Sequence, residues 1–306
     1  MNGMTGLFFK GLAMGAANVI PGVSGGTIAL ITGIYERLIN AIKRCDLTAA
    51  RLFLKGEWKA CWAHVDGQWL TTLLAGVAIS IVSLARLFEF LLEHYESYTM
   101  AFFFGLILLS ILYVARGVSR WSTTTYLALL IGTAIAVGIA MLAPASPNDN
   151  MLYVFLCGVL AISSMILPGL SGSFVLILLG NYALVLGAIS SFSLGILIPL
   201  ALGCAFGLVV FSHVLAWVFK RYADATLAVM TGFVIGSLVV IWPWKNAITH
   251  TVERAGKPPR EVVTSYEWFM PQLNDSSTWI ALSLILAGAV AIMLMEKVAG
   301  SSNDQE

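Results

Sequence analysis

Charged residues are scarce in this sequence. Of its 306 residues, only 11% are Asp, Glu, Lys or Arg, whereas 59% are hydrophobic, and the mean hydropathy is +0.88. A soluble domain carries about 25% charged residues, so a water-soluble globular protein is excluded and lipid must cover part of the surface. The net charge of only +1 argues against a nucleic-acid partner. The sequence therefore predicts an all-α integral membrane protein.

Cysteine and histidine are too few and too scattered for a disulfide framework or a metal enzyme. None of the four cysteines forms a CxxC pair, the four histidines lack ligand spacing, and no HExxH motif occurs. We expect neither a metal nor a cofactor. The residues concerned are Cys45, Cys61, Cys157, Cys204, His64, His94, His213 and His250.

Long apolar segments fill most of the chain. A helix needs about 20 apolar residues to cross a bilayer, and six segments approach or exceed this length, of which the second and fifth are short. Two further apolar stretches, 6–42 and 152–189, are interrupted at their centres. The N-terminal stretch is not expected to be a cleaved signal peptide, because Lys10 lies inside its apolar run. The six predicted spans are residues 69–92, 99–114, 124–142, 194–219, 225–242 and 279–295.

Both interrupted stretches carry one motif, which reads PGVSGG at 21–26 and PGLSGS at 168–173. Proline removes a helix hydrogen bond and glycine adds backbone freedom, so each stretch is predicted to be two short helices joined by a break. The second helices should begin near residues 27 and 174. The predicted structural breaks are Pro21, Gly22, Pro168 and Gly169.

The two stretches are copies of each other. At an offset of 147 residues, ten of 35 aligned positions are identical without a gap, including the core of the motif. A weaker echo at an offset of 127 aligns Gly76 with Gly203 and Gly105 with Gly232. The chain is therefore predicted to comprise membrane repeat 1 (residues 1–148) and membrane repeat 2 (residues 149–306), each with one interrupted stretch followed by three spans.

Loop charges predict the orientation of these repeats, because cytoplasmic loops are rich in Lys and Arg. Segments 43–59, 116–120 and 220–221 are basic and should be cytoplasmic, whereas 93–98 and 143–151 lack positive charge. All these assignments agree if both interrupted stretches are re-entrant hairpins. Three crossings per repeat then invert the second repeat relative to the first, as in many secondary transporters. Segment 243–278 is placed outside, and both termini in the cytoplasm.

The start of each second helix is a candidate anion site. Backbone N–H groups at a helix N-terminus lack intrahelical partners and carry the positive end of the dipole. The alternative interpretation is that the motif only makes a turn and caps the helix. Its presence in both repeats favours the site, because non-helical backbone at membrane depth survives only against protein or a cavity. The predicted phosphate-binding residues are Ser24, Gly25, Gly26, Thr27, Ser171, Gly172, Ser173 and Arg86.

Several polar residues near these sites have open alternatives. Arg86 and His213, aligned at offset 127, are intramembrane ionisable groups and so functional candidates. Alternatively, Arg86 could snorkel to the interface or pair with Glu89, and His213 could be an interfacial or hydrogen-bonded core histidine. Glu36 and Arg37 are either a gate pair or a solvated pair. Asn18 either satisfies backbone carbonyls freed by the break or lines the site. The predicted coupling or gating residues are Asn18, Glu36, Arg37 and His213.

An intramembrane hydrolase is the competing class, because both motifs contain the GxSG string of rhomboid-type serine proteases. A nucleophile is needed once, whereas this motif occurs twice, and His213 is the one intramembrane histidine available as a base. The sequence therefore favours a transporter, not an enzyme.

The segments GLAMGAANVIPGVSGGTIALITGIYERLI and AISSMILPGLSGSFVLILLGNY resemble the signature stretches of the bacterial undecaprenyl-phosphate (polyprenyl-phosphate) translocases of the PopT type. The resemblance covers essentially the whole chain. It implies that undecaprenyl phosphate is returned from the outer to the inner leaflet of the cytoplasmic membrane, for reuse in peptidoglycan and other envelope polymers. The sequence departs from the pattern at Asn18, where an acidic residue often stands in the family.

The expected partner is thus a polyprenyl-phosphate lipid, and the alternative is a small soluble anion. A lipid substrate predicts a lateral opening between spans, and a soluble anion predicts a pathway sealed from lipid. The membrane potential is negative inside, so inward movement of an anion is opposed. The free-energy cost is about 2.3 kcal/mol per charge per 100 mV. Coupling to H⁺ or Na⁺ is expected to offset this cost, and removal of the carrier on the inner side is the alternative. The sequence does not give the oligomeric state.

Overall fold

The computed structural model describes residues 3–19, 24–254, 257–272 and 274–303. Within these residues the chain forms fourteen α-helices and two β-strands. Side chains are not described at 19, 85–86, 88–89, 93, 190, 247, 249–266 and 295–303. The elements are α1 (Gly3–Val19), α2 (Gly25–Ile31), α3 (Tyr35–Lys43), α4 (Leu47–Leu54), α5 (Trp58–His64), α6 (Gly67–His94), α7 (Glu96–Arg116), α8 (Thr123–Ala140), α9 (Met151–Ile166), α10 (Gly172–Leu178), α11 (Tyr182–Ser190), α12 (Leu194–Arg221), α13 (Ala223–Ser237), β1 (Lys245–Arg254), β2 (Lys257–Trp268) and α14 (Ser276–Asn303).

The prediction of an all-α membrane protein is confirmed. Among the described residues, α6, α7, α8, α12 and α14 are long and apolar enough to cross a bilayer. They correspond to five of the six predicted spans. The sixth, predicted at 225–242, is a shorter helix of 15 residues that ends at Ser237. Turns follow it before Pro243, and a residue that precedes proline avoids the helical region.

Each interrupted stretch is broken twice, so the prediction of two helices per stretch was wrong. One interruption is where the motif places it, because α1 ends at Val19 and α9 ends at Ile166. We call the interruption after α1 the first break and the one after α9 the second break. The other interruption is a glycine bend, which separates α2 from α3 and α10 from α11. Gly33 and Gly180 lie there with φ of +71° and +73°, a left-handed conformation that glycine adopts at low cost when it ends a helix. The second bend turns α11 by 114° from α10.

The packing of the helices follows the duplication. Helix α1 packs on α6 and α9 packs on α12, and close glycines lie at both interfaces: Gly11 on Gly76, and Gly158 on Gly203. Helix α7 packs on α14 and α13 packs on α8. The third span of each repeat therefore lies against the second span of the other repeat. This exchange ties the two halves of the chain into one bundle.

Two segments predicted as loops contain regular structure. In the basic segment, α4 and α5 leave Leu47, Leu54 and Trp58 largely exposed beside Arg51 and Lys55, a composition typical of helices that lie in a membrane interface. In the segment after α13, β1 pairs antiparallel with β2. Threonine and valine occur in both strands, and β2 adds a tyrosine and a tryptophan, which favours this hairpin.

The hairpin is held to the end of α13 by aromatic side chains. The indole of Trp268 donates to the Val239 carbonyl at 3.1 Å, and the indole of Trp242 donates to the Phe269 carbonyl at 3.2 Å. The Lys245 ammonium donates to the Val240 carbonyl. Burial lowers the pKa of Lys245 to about 8, while nearby Glu96 acts in the opposite direction.

Candidate functional site

The two motif breaks meet inside the protein. The hydroxyl of Ser24 lies 3.3 Å from the Met165 carbonyl oxygen and 3.4 Å from that of Leu167. On the other side of the contact, the N–H of Gly169 donates to the Thr27 hydroxyl at 3.0 Å. Ser24 and Thr27 are 2% and 0% exposed. The residues that follow the first break are therefore in direct contact with the second break. Pro21 and Gly22 themselves lie outside the described residues.

Side chains of repeat 1 satisfy backbone groups that the second break leaves without helical partners. Pro168 has no N–H, and the chain leaves the helical path after α9, so the last carbonyls of that helix need other donors. Ser24 bonds two of them, and the hydroxyl of Tyr35 donates to the Ile166 carbonyl at 3.0 Å. Buried polar groups of this kind are costly unless they are bonded. This requirement explains why small hydroxyl residues lie at the contact.

The start of α2 is closed by the protein itself. The N–H of Gly25 donates to the Asn18 side-chain oxygen at 2.8 Å, and the N–H of Gly26 donates to the Ser24 hydroxyl at 3.1 Å. The N–H of Thr27 donates to the Ser24 carbonyl at 3.0 Å. The sequence predicts unpaired N–H groups here, and the structure differs because Asn18 folds over the helix start. Of the two roles weighed for Asn18, neither matches fully, since it accepts from an amide instead of donating to carbonyls.

The start of α10 is open. Within the described part of the chain, the N–H groups of Gly172, Ser173 and Phe174 have no hydrogen-bond acceptor. The hydroxyls of Ser171 and Ser173 lie 2.8 Å apart, Ser171 is half-buried, and Ser173 is exposed. Two hydroxyls and three free amides thus converge on one short stretch of chain. Such a group can donate several hydrogen bonds to one anion.

A sequence difference between the repeats explains why one helix start is closed and the other open. At an offset of 147 residues, Asn18 aligns with Met165, whose side chain cannot cap the helix. Thr27 aligns with Phe174, so the second repeat lacks a hydroxyl there as well. The tight fit of the break is preserved in both repeats. A Cβ on Gly25 would lie 2.8 Å from the Asn18 side-chain amide, and one on the aligned Gly172 would lie 2.7 Å from the Ala161 carbonyl oxygen.

The other predicted site residues do not join this contact. Arg86 lies on α6, but its side chain is outside the described residues. Arg37 pairs with Asp66 at 2.9 Å and covers the Trp69 ring, whereas Glu36 is exposed, so these two neighbours do not form the pair weighed from the sequence.

His213 is exposed on α12, and its Nδ1 lies 2.8 Å from the Val209 carbonyl oxygen of the same helix. In the part of the chain that the structure describes, no hydrogen bond or ion pair joins it to either break. The same described residues contain no group of three or more His, Cys, Asp or Glu side chains that could hold a metal ion.

Sequence reasoning missed two polar residues that form hydrogen bonds within and between the interrupted stretches. Tyr35 bonds the second break across the repeats, and its repetition at position 182 within an apolar stretch was the available signal. Lys10 donates to the Thr32 carbonyl at 3.0 Å, at the end of α2. The equivalent carbonyl in the second repeat, that of Leu179, accepts from the Tyr153 hydroxyl at 2.9 Å. One backbone position is therefore fixed in both repeats by different donors.

Comparison with known proteins shows the family of this chain. The family model described as VCA0040-like, undecaprenyl phosphate translocase-like, matches residues 14–258, which include both breaks. A polyprenyl-phosphate transporter of Vibrio cholerae serotype O1 is 40% identical over 295 residues, covering 95% of this chain and 96% of that protein. A polyprenyl-phosphate transporter of Staphylococcus aureus is 31% identical over 252 residues, covering 76% of this chain and 84% of that protein. No solved structure matches. This multi-pass membrane protein therefore belongs to the undecaprenyl phosphate translocase-like family.

Proposed function

We propose that this protein carries polyprenyl phosphate across the membrane and that the phosphate is bound where the two breaks meet. The observation that carries the proposal is the buried contact between the breaks, in which Thr27 of one accepts from Gly169 of the other. The family and the names of two relatives supply the substrate class. The open hydroxyls and amides at the start of α10 supply the donors.

The chemistry of the substrate fits such a site. An ionised phosphate in a medium of low dielectric constant is strongly destabilised unless it is hydrogen-bonded. Backbone amides and hydroxyls provide those bonds without a fixed positive charge, so the bound anion is not trapped. In this conformation α10 is open and α2 is closed by Asn18 and Ser24. Exchange of these two states, with α2 open and α10 closed, would present the site to each side in turn.

The orientation rests on the loop charges. With the basic segments inside, the two repeats are inverted, both termini are cytoplasmic, and the hairpins approach the middle of the membrane from opposite sides. The lipid then moves from the outer to the inner leaflet of a bacterial cytoplasmic membrane, where envelope synthesis reuses it. Because inward movement of an anion opposes the membrane potential, we include coupling to H⁺ or Na⁺. Transport measured with the potential collapsed tests this part.

Reconstituted transport tests the proposal directly. Purified protein in proteoliposomes should move labelled polyprenyl phosphate between leaflets. Ser171→Ala combined with Ser173→Ala should slow it about 100-fold or more, because two hydrogen bonds to the phosphate are lost. A hydrogen bond to a charged group contributes about 1.5–3 kcal/mol, and tenfold corresponds to about 1.4 kcal/mol. Ser191→Ala is the matched control, because that hydroxyl donates only to the Gly187 carbonyl one turn back.

Two outcomes would refute the proposal. If wild-type protein moves inorganic phosphate across sealed vesicles but leaves polyprenyl phosphate in place, the substrate is a small soluble anion. If the double variant transports the lipid as fast as Ser191→Ala does, the start of α10 does not bind the phosphate.

A further inference from the structure

An apolar groove runs between α12 and α13. The two helices are joined by the single residue Tyr222, and from there they separate, because α12 packs on α9 while α13 packs on α8. The space left between them has a volume of about 370 Å³. Its walls include Phe211, Val214 and Val218 of α12 and Val229, Met230 and Phe233 of α13. We call this space the α12–α13 groove.

At one end, the α12–α13 groove reaches the second break. Leu167 lines the groove, and its carbonyl accepts from the Ser24 hydroxyl at 3.4 Å. Phe233 also lines it, and Gly169 packs so closely on the Phe233 backbone that a Cβ there would lie 2.5 Å from the carbonyl oxygen. Ser171 follows Leu167 by four residues, so it lies at most about 14 Å away.

The opposite end of the groove, at Tyr222, has the composition of a membrane surface. Lys220 and Arg221 end α12, and the Arg221 guanidinium lies 5.7 Å from the centre of the Tyr222 ring. Trp217, one turn earlier, is exposed. Aromatic and basic residues together mark the boundary between hydrocarbon and water. From Tyr222 to Phe233 the helix rises about 16 Å, roughly half of the 30 Å hydrocarbon core.

The groove is open along one side. Its floor is buried, with Leu215, Met230 and Phe233 between 1% and 7% exposed. Its rim is not, because Val214 and Tyr222 are 50% and 54% exposed. The one polar group on α13 in the groove, the Thr226 hydroxyl, is bonded to the Tyr222 carbonyl at 2.8 Å. A linear hydrocarbon chain can therefore enter from the side without displacing a hydrogen bond.

We propose that the α12–α13 groove binds the first part of the polyprenyl tail while the phosphate is at the start of α10. This inference rests on the proposed function. A phosphate at mid-depth obliges the adjoining apolar chain to leave through the protein, and this groove leads from that depth to one membrane surface. The tail lies against apolar side chains there, and the rest of it extends into lipid through the open side. The groove is thus the lateral opening that a lipid substrate requires.

Filling the groove tests the inference. Val214→Trp places a large ring in it, and Val209→Trp is the matched control, because Val209 is a 36% exposed valine on the same helix that does not line the groove. We expect transport of long-chain polyprenyl phosphate to fall about tenfold in Val214→Trp and to stay near the wild-type rate in Val209→Trp. Val229→Trp fills the groove from α13 and should act like Val214→Trp. The transport rate of a variant is compared only if its melting temperature in detergent equals that of the wild type.

Transport of a short-chain substrate distinguishes effects on the tail from effects on the phosphate head. For a phosphate with one or two isoprene units, the rate ratio between Val209→Trp and Val214→Trp should approach one, because such a tail contacts little of the groove. If long- and short-chain substrates lose the same factor, or if neither groove variant slows transport, the inference is overturned while the proposed function stands. If the wild type transports neither lipid, the proposed function fails instead.

Other occupants give different results. If a phospholipid with a photoreactive acyl chain labels the groove and polyprenyl phosphate does not compete with it, the groove holds a structural lipid. If Val214→Trp changes the mass of the protein in detergent, a second copy of the chain occupies the groove. Either result overturns the inference.

Discussion

The contact between the breaks predicts a specific cost for Thr27→Val. The change preserves the shape of the side chain but removes the hydroxyl that accepts from the Gly169 N–H at 3.0 Å. That amide is shielded from water, because Gly169 and Thr27 are both buried. An unsatisfied buried donor costs about 1–3 kcal/mol. We therefore expect the apparent melting temperature in detergent to fall by a few degrees.

Thr231→Val is the matched control for this prediction. Thr231 is also fully buried, but its hydroxyl donates to the Leu227 carbonyl of its own helix at 2.7 Å, and that carbonyl keeps its helical partner after the change. Thr231→Val should therefore have little effect, and Thr27→Ser should recover most of the stability. Equal melting temperatures for the two valine variants would show that the breaks do not depend on this bond.

Three further predictions follow from the packing and the charges. Gly169→Ala should destabilise the protein by about 2–5 kcal/mol, because φ is +81° and the Cβ would meet the backbone of α13. In thermal unfolding in detergent, the control Gly187→Ala should be neutral or stabilising, because nothing lies within 4 Å of its Cβ. Asn18→Ala should unpair an amide at the start of α2 and change the ratio of the two transport directions in proteoliposomes, and an unchanged ratio would contradict its capping role. Burial lowers the pKa of Lys245 to about 8, so the folded state holds fewer protons than the unfolded state between about pH 8 and 10.5, and melting temperature should rise with pH in that window for the wild type but less for Lys245→Met.

Composition and the repeated motif were sufficient to predict the membrane fold and both breaks. Hydrophobicity determines where lipid can cover a helix, and proline determines where a helix must end, so both features can be inferred locally. The glycine bends that end α2 and α10 were missed, although Gly33 and Gly180 are identical in the alignment of the repeats. A glycine within an apolar run is compatible with a continuous helix, and only its positive φ shows that it ends one.

The closed state of α2 could not be predicted from the sequence. Helix starts present free N–H groups in general, but whether a side chain caps them depends on how the chain folds back after the break. Asn18 lies seven residues before Gly25, which is beyond the spacing of ordinary helix caps. The bond from Ser24 to carbonyls more than 140 residues away likewise depends on tertiary packing. The hairpin of β1 and β2 was missed because its charges suggested a solvated loop.

The position of the phosphate is the most direct test of this account. A polyprenyl phosphate with a photoreactive group on the isoprene unit next to the phosphate can be cross-linked to the protein in membranes, and the adducts can be mapped by mass spectrometry. We predict adducts within residues 165–174 and 24–27, where the breaks meet. Adducts confined to α4, α5 or the β-hairpin, with none at the breaks, would show that the phosphate is not bound where the breaks meet.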